Sequence, residues 1–278
     1  MQPSLARRAP FVALCLALAL AALAGCAAAL PPRPDAVSAP PISVFAAASL
    51  TGAFKEIGAR FTADTGIPVT FNFAASQQLR GQLEQGAQAD VFASANMKEM
   101  TAAIAAGLVE DGAGQVFARN RLVVIYPKAN PGGVGGLADL AKPGLKFVIA
   151  DKAVPVGQYS LDMLGKISGD TAFGSDFRER ALANVVSYEQ NVKAVVTKVQ
   201  LGEADAGVVY ATDVTPDAAE KVGALSVPDA FNQIAAYPIA ALAKSSHPTG
   251  AARFVAFVLS EEGQATLARH GFIGAKGE

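Results

Sequence analysis

The sequence predicts an α/β protein made of two lobes. Short β-rich runs alternate with amphipathic helical stripes along most of the chain, as in α/β proteins. The chain has 278 residues, of which 51% are hydrophobic. That length suffices for a large core and, at about 150 residues per domain, for two lobes. Charged residues make up 17% and the formal net charge is -1. This composition excludes the basic face of a nucleic-acid binder, and any anion site must be built locally.

The N-terminus has the pattern of a secretory signal. Arg7 and Arg8 precede an apolar run from Phe11 to about Leu23. The run ends in Leu-Ala-Gly-Cys26, which resembles a bacterial lipobox, so we predict a signal peptide over residues 1–26 and lipidation of Cys26. Two alternatives are an ordinary signal peptide with a chance cysteine and a retained transmembrane helix. The run is short for the second, given a hydrocarbon core of about 30 Å.

The two cysteines lie in the signal region, and a proline-rich segment follows it. Cys15 lies inside the apolar run, so the mature protein would hold only the lipidated Cys26. A disulfide, a cysteine metal site and a cysteine nucleophile are therefore not expected. Residues 27–41 contain five prolines. Prolines break helices, and we predict a tether between membrane and domain.

The first half of the domain begins with a β-rich run at 42–45. Leu50, Phe54, Ile57 and Phe61 then recur at spacings of four, three and four, which predicts an amphipathic helix. Gly66 occupies the position of a helix C-cap. Alternation of apolar and polar residues over 69–73 predicts the next strand. The same reasoning predicts a polar helix at 77–85, a strand at 90–93 and a helix at 96–106.

The second half continues the alternation of strands and helices. Residues 122–126 form an apolar run that ends at Pro127, consistent with a strand buried on both faces. Glycines and prolines around 130–136 indicate a loop. Further strands are predicted at 147–150, 185–186, 206–210 and 238–242. Further helices are predicted at 159–167, 192–201, 250–259 and 261–269.

Two serines follow neighbouring strands and precede helices. Ser49 comes after Ala46-Ala-Ala48, and Ser76 after Ala74-Ala75, so both are expected as N-caps. The turns after parallel strands lie at the carboxyl edge of the sheet, where ligands of open α/β folds bind. A helix N-terminus offers unpaired N–H donors and suits an anion. Most such serines are only caps, so the spacing alone gives a weak prediction of an anion site.

Six motifs follow one another along the chain: Phe-Ala-Ala-Ala-Ser-Leu at 45–50, Phe-Ala-Ala-Ser at 73–76, Ala-Asp-Val-Phe-Ala-Ser-Ala at 89–95, Val-Pro-Val-Gly-Gln-Tyr at 154–159, Glu-Gln-Asn-Val at 189–192 and Gly-Val-Val-Tyr at 207–210. With these motifs the chain resembles, over 42–272, the periplasmic molybdate-binding proteins of ABC importers. The ending Ala-Arg-His-Gly-Phe at 268–272 also fits. The resemblance implies a type II periplasmic binding protein, in which each lobe is a sheet flanked by helices and a hinge closes the cleft on the ligand.

The resemblance also implies which residues hold the ligand. Ser49 and Ser76 would offer hydroxyl and backbone N–H groups, Val156 and Val192 backbone N–H groups, and Tyr210 its phenolic O–H. These residues would contact molybdenum only through the oxygens of the oxyanion. Family members often have alanine where this chain has Val156, and the bulkier side chain could alter the fit. Ala95 is expected beside the pocket. The implied ligand is molybdate or tungstate, with no cofactor.

Enzyme motifs are missing from the sequence, and no catalytic residue is predicted. His247 and His270 are too isolated for a zinc pattern, and no Walker, Rossmann or G-x-S-x-G motif occurs. Asp90 and Asp151 fall at strand ends and are interpreted as turn or cap residues. Two other functions stay open: binding of another oxyanion such as sulfate, and a surface lipoprotein outside transport.

The predicted organisation places residues 42–121 and 243–278 in lobe 1, and 122–242 in lobe 2. The chain would cross between lobes near Arg121-Leu122 and near Leu242-Ala243. The expected partners are the oxyanion, the permease subunits of an importer and the membrane through a lipid anchor. The protein is expected to be an exported monomer on the extracytoplasmic face of the cell membrane, without nucleic acid as a partner.

Overall fold

The computed structural model describes residues 39–275. The predicted signal peptide, Cys26 and most of the predicted tether lie outside this range. Within it the strands are β1 (Ile42–Ala47), β2 (Val69–Ala74), β3 (Val91–Ala93), β4 (Gln115–Asn120), β5 (Leu122–Pro127), β6 (Phe147–Ala150), β7 (Val185–Glu189), β8 (Ala206–Tyr210), β9 (Val222–Ser226), β10 (Ala235–Ala241) and β11 (Ile273–Gly274). The α-helices are α1 (Thr51–Thr65), α2 (Ser76–Glu84), α3 (Met97–Ala105), α4 (Pro155–Ser168), α5 (Phe177–Ala183), α6 (Val192–Gln200), α7 (Pro216–Ala219), α8 (Pro248–Leu259) and α9 (Glu261–Arg269). Short 3-10 turns occupy Ala48–Leu50, Leu137–Ala141 and Ala211–Asp213.

The strands form two separate mixed sheets, one in each lobe. The first has the order β11-β4-β10-β3-β1-β2, and the second β7-β6-β8-β5-β9. In the first sheet β1 runs parallel to both β2 and β3, while β10 runs antiparallel to β3 and β4. In the second, β6 is parallel to β7 and β8, and β5 is antiparallel to β8 and β9. The two-lobed α/β fold predicted from the sequence is therefore confirmed.

Helix α1 shows how the sequence pattern produces the core of the first lobe. Phe54, Ile57 and Phe61 of its apolar stripe are fully buried, and the Phe54 and Phe61 rings pack edge-on against Phe254 of α8 at 6.0 and 5.3 Å. The helix ends at Gly66, whose φ of 71° lies in the left-handed region that glycine tolerates. Helix α8 therefore packs on the first lobe together with α1.

Strand β10 lies in a different sheet from the one expected. The sequence analysis assigned 122–242 to the second lobe, but Ala235–Ala241 pairs with β3 and β4 of the first sheet. The chain thus leaves the second sheet after β9 ends at Ser226 and has returned to the first by Ala235, before the crossing expected near Leu242. The outward passage lies between β4, which ends at Asn120, and β5, which begins at Leu122.

Candidate functional site

The first half of the site lies at the carboxyl edge of β1 and β2. The parallel register pairs Ala46 with Phe73 and Ala47 with Ala74, so the turns after both strands lie side by side. Ser49 falls within the 3-10 turn that precedes α1, and Ser76 is the first residue of α2. The expected N-cap role was wrong for both serines, because Leu50 precedes α1, Ala75 precedes α2, and neither serine hydroxyl caps its helix.

The serine hydroxyls make other contacts instead. The Ser76 Oγ accepts the backbone N–H of Ala95 at 3.0 Å, and Ser76 is fully buried. The Ser49 Oγ lies 3.0 Å from the hydroxyl of Tyr237 on β10, also in a buried position. Ala95 therefore lies next to Ser76 at the pocket, where the resemblance led us to expect it.

The second half of the site consists of two helix starts and one strand end. Val156 is the second residue of α4, after Pro155, and Val192 is the first residue of α6. Backbone N–H groups at these positions have no acceptor within their own helix. The Asn191 side chain caps α6 by accepting the N–H of Ala194 at 3.0 Å, which leaves the Val192 N–H unused by the cap. Tyr210 is the last residue of β8.

These two halves meet around one small cavity. All five predicted ligand residues line it, together with Asn191 and several small apolar residues. None of the lining residues, all within the described part of the chain, has a charged side chain. The geometry therefore offers hydroxyl and N–H donors from both lobes without a lysine or arginine. Asp90 and Asp151 do not line the cavity. Asp151 accepts the N–H of Ala153 in a turn, as the sequence analysis expected, whereas Asp90 accepts the N–H groups of Ser43 on β1 and His247 before α8, which lie far from it in sequence.

Tyr210 has an unused hydroxyl in this cavity. The hydroxyl oxygen is buried and finds no hydrogen-bond partner among residues 39–275. Burial, followed by the proximity of Tyr237, raises the pKa of Tyr210 well above its ordinary value, so the phenol stays protonated and can donate. The Tyr210 and Tyr237 rings meet edge-on with centroids 5.7 Å apart, which joins the two lobes beside the cavity. A buried donor without a partner is costly, and a ligand acceptor would satisfy it.

One ion pair, between a buried carboxylate and a partly exposed lysine, supports the Tyr210 end of the site. Asp213 is 2% exposed, and its carboxylate accepts the backbone N–H of Tyr210 at 3.2 Å and the ammonium of Lys193 at 2.8 Å. Burial raises the pKa of Asp213, and Lys193 opposes that shift. Because Lys193 follows Val192 in α6, the pair ties the helix start to the strand end and neutralises the carboxylate near the cavity.

Sequence reasoning did not find three of these features. Tyr237, Asn191 and the pair of Lys193 with Asp213 were not predicted. Asn191 before a valine-striped helix could have been recognised as an N-cap. Tyr237 is separated from Ser49 by 188 residues, and no local pattern joins them.

Within residues 39–275, no helix is long and apolar enough to cross a membrane, and no group of three or more acidic, histidine or cysteine side chains could hold a metal ion.

Two α/β lobes that meet at a small uncharged cavity define a solute-binding protein, and comparison with known proteins gives the same class. A family model described as bacterial extracellular solute-binding protein matches residues 42–273. The molybdate-binding protein ModA of Mycobacterium tuberculosis is 38% identical over 92% of this chain and 94% of its own. The ModA protein of Escherichia coli is 30% identical over 83% of this chain and 88% of its own.

Solved structures share the fold. The periplasmic molybdate-binding protein of Azotobacter vinelandii aligns with a TM-score of 0.72 at 20% identity, over 84% of this chain and 98% of its own. The sulfate-binding protein SubI of M. tuberculosis aligns with a TM-score of 0.76 at 18% identity, over 85% and 87% of the two chains. The chain therefore belongs to the bacterial extracellular solute-binding proteins, in the family of the ModA proteins.

Proposed function

We propose that this protein captures molybdate between its two lobes and delivers it to the permease of an ABC importer. The ModA relatives, which are similar over nearly the whole chain, support this function. The observation that argues for it most strongly is the cavity itself, where uncharged donors from both lobes converge. Since the relatives are solute-binding proteins, we propose binding without catalysis.

The residues that we propose to hold the oxyanion are those named from the sequence. Ser49, Ser76 and Tyr210 would donate hydroxyl hydrogens, and Val156 and Val192 backbone N–H groups. Molybdate is a dianion whose oxygens only accept, so such donors can replace its hydration shell. Each charge-assisted bond contributes on the order of 1.5–3 kcal/mol. After desolvation and closure costs, a dissociation constant of roughly micromolar to nanomolar follows.

Entry of the ligand requires the lobes to separate. Ser49, Ser76, Val156, Val192 and Tyr210 are each at most 5% exposed, so the oxyanion cannot reach them from solvent in this arrangement. We propose a hinge at the two passages between the sheets, close to 121 and within 227–234, where few residues would need to change conformation. This proposal keeps the first predicted boundary and moves the second to match the pairing of β10.

Selection among oxyanions would rest on size and protonation. Molybdate and tungstate are larger than sulfate and phosphate, and we propose that both fit the cavity. The protonated form of phosphate needs an acceptor, a role that only the three hydroxyls among the five proposed contacts can take, at the loss of a donated bond. Sulfate binding is the main alternative, because SubI shares the fold. The likeness to SubI, at 18% identity, extends to the fold alone, and the ModA relatives at 38% and 30% identity favour molybdate.

Isothermal titration calorimetry with molybdate, tungstate, sulfate and phosphate tests the proposal. We expect micromolar or tighter binding of the first two and at least about 100-fold weaker binding of the others. That difference corresponds to about 2.8 kcal/mol. Sulfate that competes as strongly as molybdate would favour the alternative. If none of the four oxyanions binds, the remaining alternative is a surface lipoprotein of the same fold that does not serve transport.

The cellular location is proposed from the N-terminal pattern. We propose export and anchoring through a lipid on Cys26, with a monomeric domain outside the cytoplasmic membrane. The extracellular solute-binding family supports export. Mass spectrometry of the mature protein should find a lipidated Cys26 at its N-terminus, and Cys26→Ser should release the protein from the membrane fraction. A mature N-terminus at another residue would disprove the anchor.

A further inference from the structure

Tyr237 contacts the site without lining the cavity. It lies on β10 of the first sheet, is fully buried, and its hydroxyl is 3.0 Å from the Ser49 Oγ. Its ring packs edge-on against Tyr210 and Phe117, with centroids 5.7 and 6.3 Å away. Burial raises the pKa of Tyr237 above its ordinary value, so this phenol is also protonated. The side chain is thus held rigidly with one hydrogen to donate.

The direction of this hydrogen bond decides what Ser49 can offer to a ligand. Each hydroxyl has one hydrogen and can also accept, so either partner could be the donor. If Ser49 donated to Tyr237, its only hydrogen would point away from the cavity and its lone pairs would face the oxyanion. If Tyr237 donates to Ser49, the serine hydrogen is free for an oxyanion, whose oxygens accept only.

Ser76 and Tyr210 follow the same rule. The Ser76 Oγ accepts the Ala95 N–H, a backbone group that can only donate, so the serine hydrogen is not used in that bond. The Tyr210 hydroxyl is without a partner among residues 39–275. In both cases a hydroxyl hydrogen is left for the ligand.

We propose that Tyr237 is a positioning residue that donates to Ser49 and thereby fixes the Ser49 hydroxyl as a donor to the bound oxyanion. This inference rests on the proposed oxyanion-binding function. Its consequence is discrimination by protonation: a ligand that carries its own O–H, such as hydrogen phosphate, must turn one of these hydroxyls from donor to acceptor and so loses a donated bond. Without the Tyr237 hydroxyl, a further lone pair of Ser49 is free to accept a hydrogen bond from that O–H.

A double-mutant cycle in the full chain tests the inference. Tyr237→Phe keeps the ring and removes the hydroxyl, and we expect molybdate affinity to fall about fivefold, the scale of one neutral hydrogen bond. In a Ser49→Ala background the same substitution should have almost no further effect, since the hydroxyl it orients is gone. Tyr188→Phe, at an exposed position on β7, is the matched control and should bind like the wild type.

A second readout separates positioning from a merely structural role. In Tyr237→Phe, phosphate should compete with molybdate several-fold better than in the wild type, while a general loosening of the site would weaken both anions equally. Additive effects in the double variant, or unchanged phosphate competition, would overturn the inference even if the wild type binds molybdate tightly. A wild type that binds no oxyanion would instead refute the proposed function on which the inference rests.

Discussion

Ser76→Ala probes the site through a side chain with two separable contacts. The Ser76 Oγ accepts the Ala95 N–H at 3.0 Å, and its hydrogen is available to the cavity. Loss of one charge-assisted bond to a dianion costs about 1.5–3 kcal/mol, which corresponds to a dissociation constant for molybdate raised about 10- to 100-fold. Calorimetry of the wild type and the variant measures this change directly.

The second contact affects stability without ligand. Ala95 is 3% exposed, so its N–H would be left buried without its acceptor, at a cost of about 1–3 kcal/mol. For a domain of this size each kcal/mol lowers the melting temperature by about 2–4 °C. Ser260→Ala is the matched control, because the Ser260 Oγ accepts the Gly263 N–H at 3.2 Å at the start of α9, outside the cavity. It should lower the melting temperature and leave molybdate affinity unchanged. Wild-type affinity in Ser76→Ala would refute the assignment of Ser76 to the site.

Three further predictions concern two contacts of the site and one ion pair between α1 and α9. Tyr210→Phe should weaken molybdate binding about tenfold without lowering the melting temperature of the ligand-free protein; a large drop in melting temperature would mean that the hydroxyl has a protein partner. Lys193→Met should lower the free energy of unfolding and weaken molybdate binding several-fold, because Asp213 keeps a buried, unpaired charge. The double variant Lys193→Met with Asp213→Asn should recover the affinity. Unchanged molybdate affinity in Lys193→Met alone would contradict this. Hydrogen bonds from Arg269, then from His270, lower the pKa of Glu56 from 4.5 to about 2. The stabilisation by Glu56 is therefore present above about pH 4.5 and lost as the pH falls towards 2. The difference in free energy of unfolding between the wild type and Glu56→Gln should thus be smaller at pH 2 than at pH 7, as measured by denaturant unfolding at each pH.

The sequence predicted most elements because their patterns are local. The stripe of Phe54, Ile57 and Phe61 and the glycine that ends it define α1 without reference to the rest of the chain. Helix ends were less accurate. Helix α4 begins at Pro155 and not at the expected Tyr159, although proline is common at the first helical position. This difference matters, because it places the Val156 N–H in the first turn of the helix.

Pairing between distant strands could not be predicted from periodicity. The apolar run of β10 would look the same in either sheet, and only its register with β3 and β4 assigns it to the first. Strands β4, β9 and β11 were not predicted. Within β4, Gln115, Arg119 and Asn120 interrupt the apolar character that usually indicates a strand.

The candidate site was only partly accessible from the sequence. Serines after two parallel strands suggested an anion site weakly, and the family resemblance supplied Val156, Val192 and Tyr210. The structure brings all five residues to one cavity. Tyr237 could not be found, because its role depends on a contact made across the sheet and not on any motif of its own.

A crystal structure of the protein grown with molybdate tests the central claim most directly. The account predicts anomalous density for molybdenum in the cavity, with oxygens at hydrogen-bond distance from the hydroxyls of Ser49, Ser76 and Tyr210 and from the N–H groups of Val156 and Val192. Density at another place on the protein, or an oxyanion held there by lysine, arginine or a metal ion, would contradict it.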